Sequence, residues 1–303
     1  MGGRGGLIET GMSFLLCFGL GYSSDYFLGS YGDGFARIIG TVRSAERAAA
    51  LNEKYAGRLR AFAFDGTNPT PEVTRAISEA DAALISIPQT ETGDPVLGAF
   101  GEALARAPRL RSIVYLSTVG VYGDHGGGWV DEETPPRPDS ERGRKRLAAE
   151  RGWQDFGARA DKAVGVLRLA GIYGPGRNAL LQIAQGNAKR IVKPGQVFNR
   201  IHVADIAQAI DAAFARKAAG IFNVVDDEPT APGEPIVFAA QLLGRAPPPE
   251  IPFAEAKPNL SPLALSFWQE CRRVRNDKLK RELGVTLLYP TYRDGLRALF
   301  AAR

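Results

Sequence analysis

Short apolar runs alternate with longer helix-like segments over the first 170 residues, and this alternation limits the fold more than any other feature of the sequence. The apolar runs lack a regular polar–apolar alternation, which is typical of strands buried on both faces of a parallel sheet. Alternating strands and helices predict a doubly wound α/β sheet with right-handed crossovers. The predicted strands are residues 14–18, 36–42, 59–64, 82–87, 111–117 and 163–169. The predicted helices between them are residues 44–57, 71–80, 94–108 and a segment from Asp139 onward.

The regular alternation of predicted strands and helices ends after about residue 172. There "GIYGPGR" (171–177) is predicted to be a loop, and a helix is predicted at 202–220. We therefore predict a first domain over residues 12–172 and a mainly C-terminal lobe over 173–303, with some later segments returning to the sheet. Residues 1–11 show no periodic pattern, so we expect a disordered leader or a tag there. In open α/β sheets the ligand crevice lies at the carboxyl ends of the strands, where this lobe is expected.

Composition excludes several classes of function. The formal net charge of +5 is spread along the chain without a dense basic stripe, so nucleic acid is not an expected partner. No apolar run approaches the about 20 residues that a membrane-spanning helix needs. Cys17 and Cys271 form no CxxC pair, which gives no sign of a disulfide framework or zinc site and is typical of the cytoplasm. Cys17 itself lies in an apolar run and is expected to be buried.

A glycine pattern, G-x-G-x-x-S, directly follows the first predicted strand and precedes a helix. Gly19 allows the tight turn, Gly21 lets a pyrophosphate approach the backbone, and Ser24 stands where a third glycine is usual. The alternative is a purely structural tight turn. The strand before the pattern and the helix after it favour a dinucleotide site that includes Tyr22 and Ser23.

The end of the second predicted strand bears on the choice of cofactor, because NAD sites usually place a carboxylate there. This sequence has Arg43 and Ser44 instead, and a guanidinium can pair with the 2′-phosphate of NADP. We therefore favour NADP over NAD, with Arg43 as a solvated helix-start residue as the alternative. Asp65, after the third strand, is expected either to accept from the adenine amino group or to cap the next turn. Ser86, at the end of the fourth strand, is also assigned to the cofactor site.

Five stretches in order, "GLGYSS", "YLSTVGVYGD", "LRLAGIYGPGR", "NRIHVADIAQAI" and "FNVVDDEP", resemble the extended short-chain dehydrogenases/reductases. That superfamily includes the NAD-dependent epimerase/dehydratases of nucleotide sugars. The resemblance runs from about residue 12 to the C-terminus. It implies a Rossmann-type domain with a small C-terminal substrate lobe.

The resemblance also implies a Ser or Thr after the fifth strand and a catalytic Tyr-x-x-x-Lys on the next helix. Thr118 takes the first position, but Arg142 and Arg146 stand where the tyrosine and lysine would be. Arginine cannot be deprotonated near neutral pH, so Arg142 cannot act as the acid/base. Arg142 is expected to bind a phosphate or carboxylate, and Arg146 to hold ribose hydroxyls. The chain thus resembles an atypical branch of the superfamily; the alternative is two arginines on a solvated helix face.

Two other residues are candidates for the missing proton transfer. Tyr173 borders the expected substrate crevice, and His125 lies in the glycine-rich loop "GDHGGGW". His125 as an exposed loop residue is the alternative. His202 is expected to pack at the junction between the sheet and the lobe.

Two functional hypotheses follow. The first is an oxidoreductase or epimerase acting on a nucleotide sugar or another small carbonyl or hydroxyl substrate, with non-standard acid/base residues. The second is a non-catalytic NADP(H)-binding sensor. We expect a small-molecule substrate, and an anion is one option. The resemblance also allows a homodimer. No metal is expected, because the carboxylates at 131–133 lack further suitably spaced ligands and are best explained as a solvated loop.

Overall fold

The computed structural model describes residues 13–55 and 57–303, so the expectation for residues 1–11 lies outside the described residues. Its strands are β1 (Phe14–Phe18), β2 (Arg37–Val42), β3 (Leu59–Ala63), β4 (Ala82–Ile85), β5 (Ser112–Thr118), β6 (Trp129–Val130), β7 (Ala163–Leu169), β8 (Gly171–Tyr173), β9 (Arg190–Val192), β10 (Arg200–His202), β11 (Gly220–Val224), β12 (Glu250–Pro252) and β13 (Arg273–Val274). Its α-helices are α1 (Tyr22–Tyr31), α2 (Ala45–Lys54), α3 (Pro71–Ile77), α4 (Pro95–Arg106), α5 (Glu141–Ala160), α6 (Ala179–Ala184), α7 (Val203–Ala215), α8 (Glu234–Leu242), α9 (Phe253–Ala256), α10 (Pro262–Gln269), α11 (Asp277–Leu283) and α12 (Tyr292–Ala301).

A seven-stranded sheet in the order β11-β7-β5-β4-β1-β2-β3 forms the centre of the fold. Every neighbouring pair in it is parallel. Strands β1 and β4 are buried along their whole length, as the continuous apolar runs predict. The α/β prediction is therefore confirmed, and the six predicted sheet strands all lie in this sheet.

Helices cover both faces of the sheet and create two apolar cores. Helices α1, α2, α7 and α11 contribute to one core, and α3, α4 and α5 contribute to the other. The strand order reverses between β1 and β4, because β1 is followed outward by β2 on one side while β4 lies on the other. A crevice for a dinucleotide is expected at the carboxyl ends of the strands at such a switch point.

A smaller lobe has its own apolar core, formed by α6, α8 and α12 around Tyr173 and Tyr292. Strand β11 lies beyond residue 173 but returns to the edge of the main sheet beside β7. The interpretation of residues 171–177 as a loop is wrong for residues 171–173, which form β8 and pair with β10. Among the described residues, no helix is long and apolar enough to cross a bilayer.

A buried ion pair attaches helix α5 to the central sheet. Glu150 on α5 accepts hydrogen bonds from Arg168 on β7, with Nη2–Oε2 at 2.7 Å and Nε at 3.2 Å from both carboxylate oxygens. Ser117 on β5 donates to the same carboxylate. The two charged residues are 0% and 1% exposed. Because a buried charge is costly without a partner, this pair determines which face of α5 meets the sheet.

We expect Glu150→Gln to lower the free energy of unfolding by about 3–5 kcal/mol, because Arg168 would remain buried without a compensating charge. Urea denaturation measures the change. The control is Glu79→Gln, which breaks the half-exposed Arg37–Glu79 pair and should cost only about 0–1 kcal/mol. Equal effects of the two substitutions would contradict the role assigned to the buried pair.

Candidate active site

The glycine pattern forms an open turn at the start of α1. Gly19 has φ of +94°, a conformation that favours glycine, and a Cβ there would lie 3.0 Å from the Ser86 carbonyl group. Gly21 is the N-cap of α1, and a Cβ there would meet nothing within 4 Å. The first N–H groups of a helix have no intrahelical acceptor, so this open end suits an anion such as a pyrophosphate.

The side chains after Gly21 are either buried or hydrogen-bonded within the protein. Ser23 and Ser24 are buried beneath the turn. Burial raises the pKa of the neighbouring Cys17 thiol to about 12, and the Ser24 hydroxyl group partly opposes that shift. Cys17 is a buried free cysteine, as predicted. Tyr22 donates its hydroxyl to the Pro175 carbonyl at 2.9 Å, which links the glycine turn to the loop after β8.

The side chains at and after the end of β2 differ in whether they have a hydrogen-bond partner in the protein. Thr41 is buried, and its Oγ1 accepts from the Gly19 N–H at 3.1 Å, which fixes the turn. Ser44 caps α2 by accepting from the Arg47 N–H. Arg43 is exposed, and its guanidinium has no hydrogen bond or ion pair with any residue that the structure describes. It is therefore available to an anionic ligand.

Asp65 and Ser86 follow β3 and β4 at the same edge of the sheet. Asp65 caps a turn, because its Oδ1 accepts from the Thr67 N–H at 2.8 Å and from the Thr67 hydroxyl at 2.8 Å. These bonds, together with one from the Asn68 N–H, lower the pKa of Asp65 to about 2. Of its two predicted roles, turn capping is the one that is observed. Ser86 donates its N–H to the Phe18 carbonyl at 2.8 Å and lies against Gly19.

Helix α5 presents Arg142, Arg146 and Glu150 at intervals of four residues, which places them along one face. The Arg146 Nη1 donates to the Tyr115 hydroxyl at 3.0 Å and to the Leu116 carbonyl at 3.1 Å, so its guanidinium is fixed at the end of β5. The Arg142 guanidinium has no such partner among the described residues. Desolvation and the positive charge of Arg146 both lower the pKa of Arg142.

A cavity of about 670 Å³ lies between the carboxyl edge of the sheet and the smaller lobe. Thr118, Arg142 and Arg146 line it, as does Tyr173, so the structure brings together four of the five predicted catalytic residues. The charged residues that line it are five arginines and one glutamate: Arg142, Arg146, Arg177, Arg200, Arg272 and Glu270.

Thr118 lies at the end of β5 and has a half-buried side chain. Its Oγ1 accepts from the Gly120 N–H at 3.1 Å, so the hydroxyl proton remains available for donation. The side chain is therefore able to orient a substrate oxygen at the cavity wall.

The Tyr173 hydroxyl faces the smaller lobe. It lies 3.4 Å from the Thr291 carbonyl, and a Cβ on Gly295 would be only 2.2 Å from it. Burial raises the pKa of Tyr173, and the nearby carboxylates of Asp226 and Asp205 raise it further. The phenol therefore strongly resists ionisation.

The two histidines have structural partners. His125 does not line the cavity. Its ring Nε2 lies 3.1 Å from the Tyr122 carbonyl, and its backbone N–H donates to the Cys271 carbonyl. His202 caps α7 by accepting from the Ala204 N–H at 3.1 Å, and its ring packs edge-on against Tyr173. Burial lowers the pKa of His202 to about 4. The expected packing role of His202 is what the structure shows.

The acidic loop at residues 131–133 is held by hydrogen bonds within the chain. Asp131 accepts from the Thr134 N–H at 3.0 Å, and Glu132 accepts from the Asn223 N–H at 2.7 Å. Over residues 13–55 and 57–303, no group of three or more His, Cys, Asp or Glu side chains is placed to hold a metal ion.

The sequence analysis missed two groups of residues: the pair that holds the α5 face carrying Arg142 and Arg146 (the arginine face), and the further arginines that line the cavity. Glu150 continues the four-residue spacing after Arg146, and Arg168 is a charge inside an otherwise apolar strand; together these features indicate a buried pair. Arg177, Arg200 and Arg272 come from the second half of the chain. Nothing in their local sequence indicates that they line the same cavity as α5, because only the tertiary fold brings them there.

The family model for the NAD dependent epimerase/dehydratase family matches residues 101–224. A 3-diazoavenalumate denitrifying reductase from Streptomyces sp is 28% identical over 208 residues, which are 63% of this chain and 66% of the relative. The match thus spans just under two thirds of that relative's length.

Two solved structures cover almost the whole chain. A functionally unknown conserved protein from Silicibacter pomeroyi DSS has a TM-score of 0.84 and 44% identity, with 96% of this chain and 99% of that one covered. The dTDP-glucose 4,6-dehydratase from Bacillus anthracis, in complex with NAD, has a TM-score of 0.75 and 17% identity, with 95% and 96% covered. At that identity the second likeness shows the fold alone.

The family match and the Rossmann-type sheet agree with the motifs quoted above. Residues 101–224 of this chain match the NAD dependent epimerase/dehydratase family model, and the chain as a whole shares the fold of the dTDP-glucose 4,6-dehydratase. The predicted resemblance is confirmed. That Arg142 and Arg146 stand where the family has its usual tyrosine and lysine stays a prediction from the sequence.

Proposed function

We propose that this chain binds a nicotinamide dinucleotide along the carboxyl edge of its sheet and catalyses hydride transfer to or from a small carbonyl or hydroxyl substrate. The observation that carries this proposal is the placement of two features on one edge. The open start of α1 follows β1, and the arginine-lined cavity adjoins β5 and β7, on the other side of β4. A dinucleotide that spans the switch point would connect them.

The residues present fit such a cofactor. The backbone at Gly19, Gly21, Tyr22 and Ser23 would receive the pyrophosphate, because no side chain fills the space at Gly21. Arg146, fixed at the end of β5, would donate to the ribose hydroxyls. The bound dinucleotide would supply or accept the hydride.

NADP is the form of the cofactor that we propose. Arg43 supports this choice, because its free guanidinium stands at the end of β2 where NAD sites place a carboxylate. The family description names NAD, and the Bacillus anthracis structure contains NAD, so NAD is the competing outcome.

We expect Arg43→Ala to weaken NADPH binding by about 10- to 100-fold and to leave NADH binding within about twofold, because only NADPH carries the 2′-phosphate. Isothermal titration calorimetry with both cofactors measures this selectivity. Arg47→Ala is the matched control, since Arg47 is also exposed but is the third residue of α2 rather than the residue that follows β2. If Arg43→Ala changed the two affinities equally, or if the native chain preferred NADH, the NADP proposal would be wrong.

Charge stabilisation replaces phenol catalysis in the proposed mechanism. The positive charge of Arg146 would stabilise the negative charge that develops on the substrate oxygen, and Arg142 would bind an anionic group of the substrate. Thr118 would donate a hydrogen bond to the same oxygen. The Tyr173 phenol resists ionisation and faces Thr291, so we assign the proton exchange to water in the cavity.

A turnover experiment tests this mechanism. We expect NADPH, followed by its absorbance, to be oxidised by at least one member of a panel of oxo acids, aldehydes, ketones and nucleotide sugars. Arg146→Gln should lower kcat/KM by about 10- to 100-fold, because it removes a charged donor at the reacting end of the cavity. Arg151→Gln, an exposed position on the same helix, is the control.

The competing function is a non-catalytic NADP(H) sensor. Its support is that the face of α5 beside the cavity carries guanidinium groups, which do not exchange protons near neutral pH. Tight NADPH binding without turnover on the whole panel would favour the sensor. A cytoplasmic location is also part of our proposal, supported by cysteines that are free in the described residues. The homodimer remains a prediction.

A further inference from the structure

The arginines that line the cavity differ in the hydrogen bonds and ion pairs that their guanidinium groups already make. Arg272 pairs with Glu270 at 2.7 Å. Arg146 is held by Tyr115 and Leu116, and Arg200 donates to the Phe198 carbonyl at 3.2 Å. The Arg142 and Arg177 guanidinium groups have no hydrogen bond or ion pair with the residues that the structure describes. The cavity therefore offers two uncommitted cations and no free carboxylate among its lining side chains.

Arg142 is an exposed residue that stands beside a like charge. Its neighbour Arg146 carries the same charge one helical turn away, and both desolvation and that charge lower the pKa of Arg142. Helix α5 cannot rotate to move Arg142 and Arg146 away from the cavity without breaking the buried Glu150–Arg168 pair. A bound anion would offset both costs, because it compensates the charge in place.

The location of Arg142 indicates which part of a substrate it would meet. In a doubly wound sheet the second half of a dinucleotide lies over the strands beyond the switch point, here β4 and β5. Thr118 ends β5, and it lines the same cavity as Arg142. An anion on Arg142 would therefore share this cavity with the carbon that exchanges the hydride.

The shape of a guanidinium group suits a flat anion with two oxygens side by side, such as a carboxylate, as well as a phosphate. Its planar fork matches a carboxylate with two parallel hydrogen bonds. The remaining cavity wall includes the apolar side chains of Leu169, Ile172 and Phe267, which suit an organic body. We propose that the substrates are 2-oxo acids and the corresponding 2-hydroxy acids, with the carboxylate bound by Arg142.

This inference rests on the proposed hydride transfer, and its chemistry balances. The carbonyl carbon of the 2-oxo acid would accept the hydride that the bound reduced dinucleotide would supply, and the C=O π-electron pair would move to oxygen. Water in the cavity then donates a proton to that oxygen, which leaves a 2-hydroxy acid, hydroxide and the oxidised cofactor. The carboxylate on Arg142 is unchanged throughout.

The first test compares 2-oxo acids with their neutral amides as substrates of the full chain with NADPH. We expect kcat/KM to be at least about 10-fold higher for 2-oxobutyrate and phenylglyoxylate than for their amides. Arg142→Gln should lower kcat/KM for the acids by about 10- to 100-fold and affect the amides little. Arg144→Gln is the matched control, because Arg144 lies on the same helix, donates to the Asp139 carbonyl and does not line the cavity.

A binding measurement keeps the proposal testable if turnover is absent. Oxamate is a carboxylate analogue of a 2-oxo acid, and oxamide is its neutral counterpart. Calorimetry with the free chain and with its NADPH complex should show that oxamate binds at least about 10-fold more tightly than oxamide. This preference should disappear in Arg142→Gln and persist in Arg144→Gln.

The outcomes separate the substrate class from the function on which it rests. Oxamate binding no tighter than oxamide, or an equal effect of Arg142→Gln on acids and amides, would overturn the 2-oxo acid proposal even if other carbonyl compounds are reduced. Failure of NADPH and NADH to bind would overturn the proposed function. In that case oxamate binding to the free chain still decides whether Arg142 forms a carboxylate site.

Discussion

The buried pair between Glu150 and Arg168 is the interaction on which the candidate site depends. Two opposite charges that are almost fully removed from water must stay together, so α5 has one permitted orientation against β5 and β7. Arg146 and Arg142 precede Glu150 by four and eight residues on the same helical face. The pair that holds the helix therefore also directs both arginines towards the cavity.

The opposite wall of the cavity is fixed by contacts with the smaller lobe. Tyr22, in the glycine turn, donates to Pro175 in the loop after β8, so the open start of α1 and the cavity share a connection. Tyr173 packs between His202 and α12, which directs its hydroxyl to Thr291. The phenol that the sequence offers as an alternative proton donor thus serves mainly to join the lobe to the sheet.

The sheet could be predicted because buried parallel strands leave continuous apolar runs, and all six such runs lie in it. The placement of Arg142 and Arg146 on one face of α5 could also be predicted, because residues four apart lie on the same side of a helix. The direction of the Tyr173 hydroxyl was not, because it depends on the close packing of Gly295, over 100 residues later. Likewise, Arg177, Arg200 and Arg272 reach the cavity only through tertiary contacts, which no local pattern records.

The central claim is that a dinucleotide lies against the open start of α1. Calorimetric titration of NADPH and NADH into Gly21→Ala tests it most directly, because the added methyl group meets no protein atom within 4 Å and projects into the space assigned to the pyrophosphate. Gly29→Ala, in the same helix and equally free of neighbours, is the control. We expect dinucleotide affinity to fall at least about 10-fold in Gly21→Ala, by analogy with the role of the second glycine in this turn, and to be retained in Gly29→Ala. Unchanged affinity in Gly21→Ala would contradict the account.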